Sequence, residues 1–283
     1  MKKKIALPTD FSRNAWNTLK YASELYKDEK VDFYLLNAYS AKSYATDSMM
    51  VPEPGEKYYD SAKSRSEGNF KVLLSQIEEM KVSSNHSYFT ESVYNNPLEA
   101  TKRLIEDKDI ELVIVGNKGK TGAEGIFLGS NSIQFMEHIR NCPVLMVPHI
   151  VTFKTPNEIV FPTSFKTHFK RRELIQLYEI SRITKAPIRV LHINEADQLS
   201  EEQLEKKKLL EECFEGLEYS FHYLDLVGVK TGLNIFTQSR NSEMIAFINK
   251  KHLFFGSIFS RPMVKDLGYS ANVPVLALNN FRN

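Results

Sequence analysis

One segment of this chain occurs twice. Ile5-Ala6-Leu7-Pro8-Thr9-Asp10-Phe11 returns as Ile159-Val160-Phe161-Pro162-Thr163-Ser164-Phe165, and Pro143-Val144-Leu145-Met146-Val147 returns as Pro274-Val275-Leu276-Ala277-Leu278. Two matching segments in the same order mean two copies of one structural unit. A length of 283 residues suits two domains. The predicted division is 1–150 and 151–283, with a linker near 149–156 bounded by Pro148 and Pro156.

Within each copy, apolar strands alternate with segments of helical spacing. In the first, strands are predicted at 4–8, 31–38, 86–93, 112–115 and 143–147. Helices are predicted from about 14, over 61–80, from Pro97 to about 107, and from Ser130 to about 141. Pro97 suits the first turn of its helix. In the second copy, helices are predicted near 168–184, 200–215, 229–240 and 262–269, with strands at 187–193, 218–225 and 243–248. Leu112 to Val115 is apolar without alternation, as a parallel strand covered on both faces should be. Strands alternating with helices predict an α/β fold with a parallel sheet. Residues 39–60, with Pro52, Pro54 and Gly55, read as a long loop.

Ligands of such sheets bind beyond the carboxyl ends of the strands. Asp10, Ala38 and Gly116 each follow a strand and fall at that edge. After Val115 the chain carries Gly116, Gly119 and Gly129, then Ser130, Asn131 and Ser132 where a helix begins. Glycine lets backbone approach a ligand closely. A helix N-terminus offers unpaired N–H groups and the positive end of the dipole to phosphate. Lys118 and Lys120 add positive charge. Two better-known loops are excluded: a P-loop ending in Gly119-Lys120-Thr121 needs glycine where Ile114 stands, and the dinucleotide fingerprint needs glycine where Lys118 stands.

Composition excludes several function classes. The net charge of +2 and the lack of a basic half give no field for nucleic acid. No stretch is long and apolar enough for a membrane helix, and the apolar run after Lys2-Lys3-Lys4 is too short for a signal peptide. Cys142 and Cys213 are too few for a disulfide framework, so both are expected as buried, reduced thiols in a cytoplasmic protein. The seven histidines show no metal-ligand spacing. No nucleophilic triad is readable. Met49-Met50 and Phe254, Phe255 and Phe259 read as packing before they read as a lid or a partner patch.

The segments Pro8-Thr9-Asp10-Phe11-Ser12 and Gly116-x2-Gly119-x9-Gly129-Ser130 together resemble the universal stress protein family, and the resemblance covers the whole chain as a tandem pair. It implies an adenine nucleotide α-hydrolase-like fold in each copy, a five-stranded parallel sheet with helices on both faces. It also implies ATP as ligand, with Mg²⁺. By position, Pro8, Thr9 and Asp10 would line the base and ribose, and Ala38 would meet adenine through its backbone. Val115, Gly116 and Gly119 would run along the ribose and phosphates. Gly129, Ser130, Asn131 and Ser132 would hold the phosphates. No base for activating water is evident, so hydrolysis is expected to be slow at most.

The second copy departs from this pattern. Ser164 stands for Asp10, and Ile248 and Lys251 fall opposite Gly116 and Gly119. Ser260 and Arg261 fall opposite Gly129 and Ser130. Side chains there would keep phosphate from the backbone, so the second copy is expected not to bind nucleotide. The apolar last strands, 143–147 and 274–278, are expected to pair within the chain as a pseudo-dimer, and a homodimer of chains is a further expectation. Two other functions stay open: an interaction scaffold that binds no nucleotide, and an ATPase or nucleotidyl transferase. The absence of His-x-Gly-His and Ser-Gly-Gly-x-Asp-Ser sequences counts against the transferase.

Overall fold

The structure is a computed structural model that describes residues 2–39, 57–117, 130–194, 199–225, 227–249 and 272–279. The predicted helix near 262–269, the loop residues 40–56 with Met49 and Met50, and the segment from Lys250 through Phe259 lie outside the described residues. So do Lys118, Gly119, Lys120 and Gly129.

The chain divides into two compact units, Met1–Val115 and Gly116–Asn283. In the first, β1 (Lys3–Pro8), α1 (Arg13–Leu25), β2 (Val31–Tyr39), α2 (Lys57–Met80), β3 (His86–Tyr94), α3 (Pro97–Lys108) and β4 (Leu112–Asn117) follow in order. The strands run β3-β2-β1-β4 across the sheet, all parallel. The second unit takes the last two residues of β4. It continues with α4 (Ser130–His138), β5 (Val144–Pro148), β6 (Ile159–Pro162), α5 (Arg171–Thr184) and β7 (Ile188–Asn194). Then come α6 (Glu201–Cys213), β8 (Tyr219–Asp225), α7 (Val229–Ser239), β9 (Met244–Asn249) and β10 (Val275–Asn279). Its strand order is β5-β10-β9-β6-β7-β8. The fold is α/β with a mostly parallel sheet, as the alternation predicts.

The predicted pairing of last strands is present. β5 and β10 are antiparallel, with Val275 opposite Met146 and Ala277 opposite Val144. All other strand pairs in the second unit are parallel. This pairing explains why compactness divides the chain inside β4 and not near residue 150: β5 belongs to the first repeat in sequence but is hydrogen-bonded to the last strand of the second. Both strands are buried along their whole length, so neither leaves an apolar edge open.

Local chemistry fixes the helix starts. Ser12 Oγ accepts Ala15 N–H, and Asn96 Oδ1 accepts Glu99 N–H with Pro97 in the first turn. Ser200 and Gln203 form a reciprocal capping box at α6. α1 turns Leu19, Tyr21, Ala22 and Leu25 inward, the stripe its spacing predicts. The helices α2 and α4 differ slightly from expectation, α2 beginning at Lys57 and α4 ending at His138. Cys142 and Cys213 are both buried thiols.

The repeat is visible in the backbone itself. Phe11 and Phe165 share a left-handed φ of 58° and 55°, and Asp109 and Asn241 share 53°. Non-glycine residues seldom adopt that region, so its recurrence at matched positions marks the same turn built twice.

Candidate functional site

In the first unit the ends of β1 and β2 are tied together residue by residue. Thr9 N–H donates to Leu36 O at 2.8 Å. The Asn37 carboxamide donates from Nδ2 to Thr9 O at 2.7 Å and accepts at Oδ1 from Ser66 Oγ at 2.8 Å. A carbonyl only accepts, so the Thr9 contact fixes which end of the amide is nitrogen. Ser92 Oγ donates in turn to Ser66. This chain runs from β3 through α2 to β2 and β1, and it holds Pro8, Thr9 and Asp10 beside Ala38. Pairing of Ile5 with Leu112 and Ala6 with Val113, counted onward, sets Val115 level with Pro8.

The turn after β1 is built by its own side chains. Thr9 Oγ1 accepts Phe11 N–H at 3.0 Å, and Asp10 Oδ1 accepts Ser12 N–H at 2.9 Å. These two contacts hold Phe11 in its left-handed conformation. Asp10 is exposed at the edge with one oxygen engaged in the turn. Beyond Ala38, the Tyr39 ring packs against Tyr59 at 6.2 Å and Tyr94 at 5.8 Å, and those two lie 5.2 Å apart. Burial, a hydrogen bond with Tyr59 and the nearby charges of Glu67 and Asp60 push the Tyr39 hydroxyl up to about 12. It is therefore a neutral phenol throughout the physiological range.

In the second unit, Gly116 and Asn117 end β4, and Ser130, Asn131 and Ser132 form the first turn of α4. The N–H groups of a helix's first turn have no partner within the helix. Ser132 is buried, and its hydroxyl donates to Asn117 Oδ1 at 3.2 Å. Asn117 O accepts His149 N–H at 2.8 Å. Ser132 thus fastens the helix start to the strand end. Gly119 and Gly129 lie outside the described residues.

The second repeat reproduces the strand-end turn and changes what surrounds it. Thr163 N–H donates to Leu191 O at 2.8 Å, and Thr163 Oγ1 accepts Phe165 N–H at 3.1 Å. Where Asn37 bonds Thr9 O, His192 Nδ1 bonds Thr163 O at 2.8 Å. Because a carbonyl accepts, Nδ1 carries the proton, and Nε2 is a buried lone pair with no partner among the described residues. Burial, with Lys166 assisting and the Thr163 bond and Asp225 opposing, lowers the His192 pKa. Phe165 and Tyr223 pack around the imidazole, at 5.0 and 6.1 Å. β9 repeats β4 in length and burial pattern, and Ile248 occupies the place of Gly116. Asn249 matches Asn117, and its Nδ2 donates to Met136 O.

Asn37, Ser66, Ser92 and His192 carry these strand ends, and no motif of the sequence singles them out. The available signal was small: Asn37 breaks an apolar run in β2. Among the described residues no group of three His, Cys, Asp or Glu side chains could hold a metal ion. No described helix is long and apolar enough to cross a membrane.

The comparisons agree with the geometry. The profile of the universal stress protein family matches residues 1–148. Universal stress protein MJ0531 of Methanocaldococcus jannaschii is 27% identical over 146 residues, 51% of this chain and 81% of that protein. Universal stress protein MJ0577 of the same organism is 26% identical over 155 residues, 52% of this chain and 95% of its own. A crystal structure of a universal stress protein from Archaeoglobus fulgidus superposes with a TM-score of 0.72 at 16% identity, over 98% of both chains, which shows the shared fold. With more than half its length matched, the chain belongs to the universal stress protein family.

Proposed function

We propose that the first repeat, residues 1–150, binds ATP with Mg²⁺, and that the second, residues 151–283, is a repeat that has lost nucleotide binding. The boundary near 150 is supported by the extent of the family match, which stops at residue 148. Some members of the family bind ATP. The observation that carries the proposal here is the contrast between β4 and β9. They have the same length and burial, yet Gly116 stands where Ile248 stands, so only the first repeat leaves its strand end without a side chain.

In this reading Pro8, Thr9 and Asp10 line the base and ribose, and Ala38 meets adenine through its backbone. Val115, Gly116 and Gly119 border the ribose and phosphates. Gly129 and the backbone of Ser130, Asn131 and Ser132 receive the phosphates. The donor set fits such a ligand: neutral backbone at the strand ends suits an uncharged base, and the first turn of α4 suits an anion. The ion would bring charge neutralisation to the phosphates, and the protein would supply position. Hydrolysis is slow at most, and the output is a nucleotide-dependent change in partner binding during a stress response in the cytoplasm. In the same reading two chains associate as a homodimer.

Equilibrium dialysis of the full chain against labelled Mg-ATP tests the proposal. One nucleotide per chain is expected, with Gly116→Val abolishing uptake. Two per chain would contradict the loss in the second repeat, and none would leave the interaction scaffold as the better account.

A further inference from the structure

The last strands of the two repeats, β5 and β10, cover each other, so neither is open to a second chain. Among the described residues, β3 and β8 each have a strand on one side only. β3 is 9 residues long, contains neither proline nor lysine, and keeps an unbroken register with β2 from Val31–His86 to Tyr39–Tyr94. An edge of that length without a blocking device is a template for another strand. Val31 N–H donates to Asn85 O, and Asn95 N–H donates to Tyr39 O, so the odd-numbered residues turn their backbone to β2. The N–H and C=O groups of His86, Tyr88, Thr90, Ser92 and Tyr94 therefore point out of the sheet.

The side chains on one face of β3 say what strand fits there. Ser87, Phe89 and Glu91 share that face. Phe89 is 45% exposed and stacks on Tyr34 of β2 at 5.1 Å. Before it, Lys2 Nζ lies 2.8 Å from Ser87 Oγ and 3.1 Å from Asp32 Oδ1. After it, Glu91 lies 3.3 Å from Lys108 Nζ. Along the strand the face reads cation, aromatic, anion, an order that complements itself when turned end over end about Phe89. Phe89 then meets its own copy, and Ser87 with Lys2 meets Glu91 of the second chain. The charges alternate across the join, from Lys108 to Glu91 to the second copy's Lys2 and Asp32. The backbone permits this register. In an antiparallel ladder the odd-numbered residues form the close, non-hydrogen-bonded pairs, while Tyr88 and Thr90 exchange backbone bonds. A ladder centred on Thr90 would set Phe89 against Glu91 and lose both matches.

The second repeat lacks this pattern. Ser220 stands at the place of Phe89, His222 at that of Glu91, and Arg189 at that of Tyr34. Arg189 Nη1 donates to Ser220 Oγ at 2.9 Å, so a ladder centred on Ser220 would bring Arg189 toward its own copy. The edge of the first repeat is self-complementary, and the edge of the second is not.

We propose that two chains associate through β3, as an antiparallel two-fold ladder centred on Phe89 with Lys2 and Glu91 paired across it. This gives the homodimer of the preceding reading its surface, and rests on that reading for the association of two chains alone. Sedimentation velocity of the full chain without nucleotide should show a concentration-dependent dimer. Phe89→Lys sets two cations face to face at the centre. Thr90→Pro removes an outward N–H and leaves the bonds to β2 in place. Each should raise the dimer dissociation constant roughly tenfold or more. Phe89→Cys should form an interchain disulfide in oxidised glutathione and Thr90→Cys should not, because only the central residue meets its own copy. Cys142 and Cys213 are buried and do not compete. A wild type that stays monomeric at high concentration would overturn the inference, as would equal cross-linking of the two cysteine variants. A dimer that Phe89→Lys and Thr90→Pro both leave intact would overturn it too, and would put the homodimer on another surface. Mg-ATP uptake by Phe89→Lys reports on the nucleotide reading separately.

Discussion

The carboxyl ends of β1 and β2 and those of β6 and β7 are the same construction with different side chains. Each has a threonine that bonds the neighbouring strand, a phenylalanine in a left-handed turn, and a side chain from the second strand bonded to the threonine carbonyl. In the first repeat that side chain is the small Asn37, which passes the connection on to Ser66. In the second it is His192, enclosed by Phe165 and Tyr223. The turn is thus a requirement of the fold, since it survives without the glycines. What separates the repeats is the side chain that meets the threonine carbonyl and what that side chain touches next. The difference also appears at the other end of the strands, where Glu158 of the second repeat is 6% exposed as a residue and holds a network that the first repeat, with Lys4 before Ile5, does not have.

The network offers the largest expected effect. Arg240 bonds both oxygens of Glu158 at 2.7 and 2.8 Å, Arg189 bonds one at 3.0 Å, and Ser242 bonds the other. Glu158→Ala would leave two guanidinium groups without their carboxylate, and chemical denaturation should show a loss of about 3 kcal/mol. Burial alone would raise the Glu158 pKa, but the bonds from Arg240, Ser242 and Arg189 outweigh it and hold the group at about 2, against an ordinary 4.5. The folded value is the lower one. Its stabilisation is therefore complete above pH 4.5 and fades as pH falls toward 2, and Glu158→Gln should flatten that part of the stability profile. An unchanged profile would remove the network from the account.

Asn37→Leu should come next. It strips the Thr9 carbonyl and the Ser66 hydroxyl of a half-buried partner, and a loss of about 1–2 kcal/mol is expected by denaturant titration. A loss near zero would mean that the strand ends hold together without the amide. Asn96→Ala removes the cap of α3 and should cost about 1 kcal/mol. The matched helix α7 starts at Gly228 without a side-chain cap, so Asn96→Gly should cost only a few tenths of a kcal/mol, about what the second repeat forgoes there. The smallest effect is expected at His192. Its folded pKa lies below the ordinary 6.5, so the unfolded chain takes up the proton first and stability falls as pH drops below 6.5. His192→Asn should remove part of that slope and leave the contributions of His86 and His222, which are lowered as well.

Much of the fold was legible in the sequence because it rests on periodic signals. Unbroken apolar runs became the buried strands β4, β5, β9 and β10, and Pro97 and Ser200 sit at helix starts as their chemistry requires. The direction of the β5–β10 pairing was not legible, since a strand buried on both faces reads the same either way. The site was legible as strand ends and glycines. Its supports were not: Asn37 meets a helix residue 29 positions on, and Glu158 meets Arg240 82 positions on. Contacts at such separations leave no period. The bond from the Ser132 hydroxyl to Asn117, 15 residues earlier, is of the same kind.

The proposed difference in nucleotide binding turns on one position, where β4 has Gly116 and β9 has Ile248. Thermal unfolding of the wild type, Gly116→Val and Ile248→Gly, each with and without Mg-ATP, tests it most directly. At about a hundred times the dissociation constant, ligand should stabilise the wild type and Ile248→Gly by roughly 2.7 kcal/mol and leave Gly116→Val unmoved. A shift in Gly116→Val equal to that of the wild type, or no shift in the wild type at saturating Mg-ATP, would contradict it.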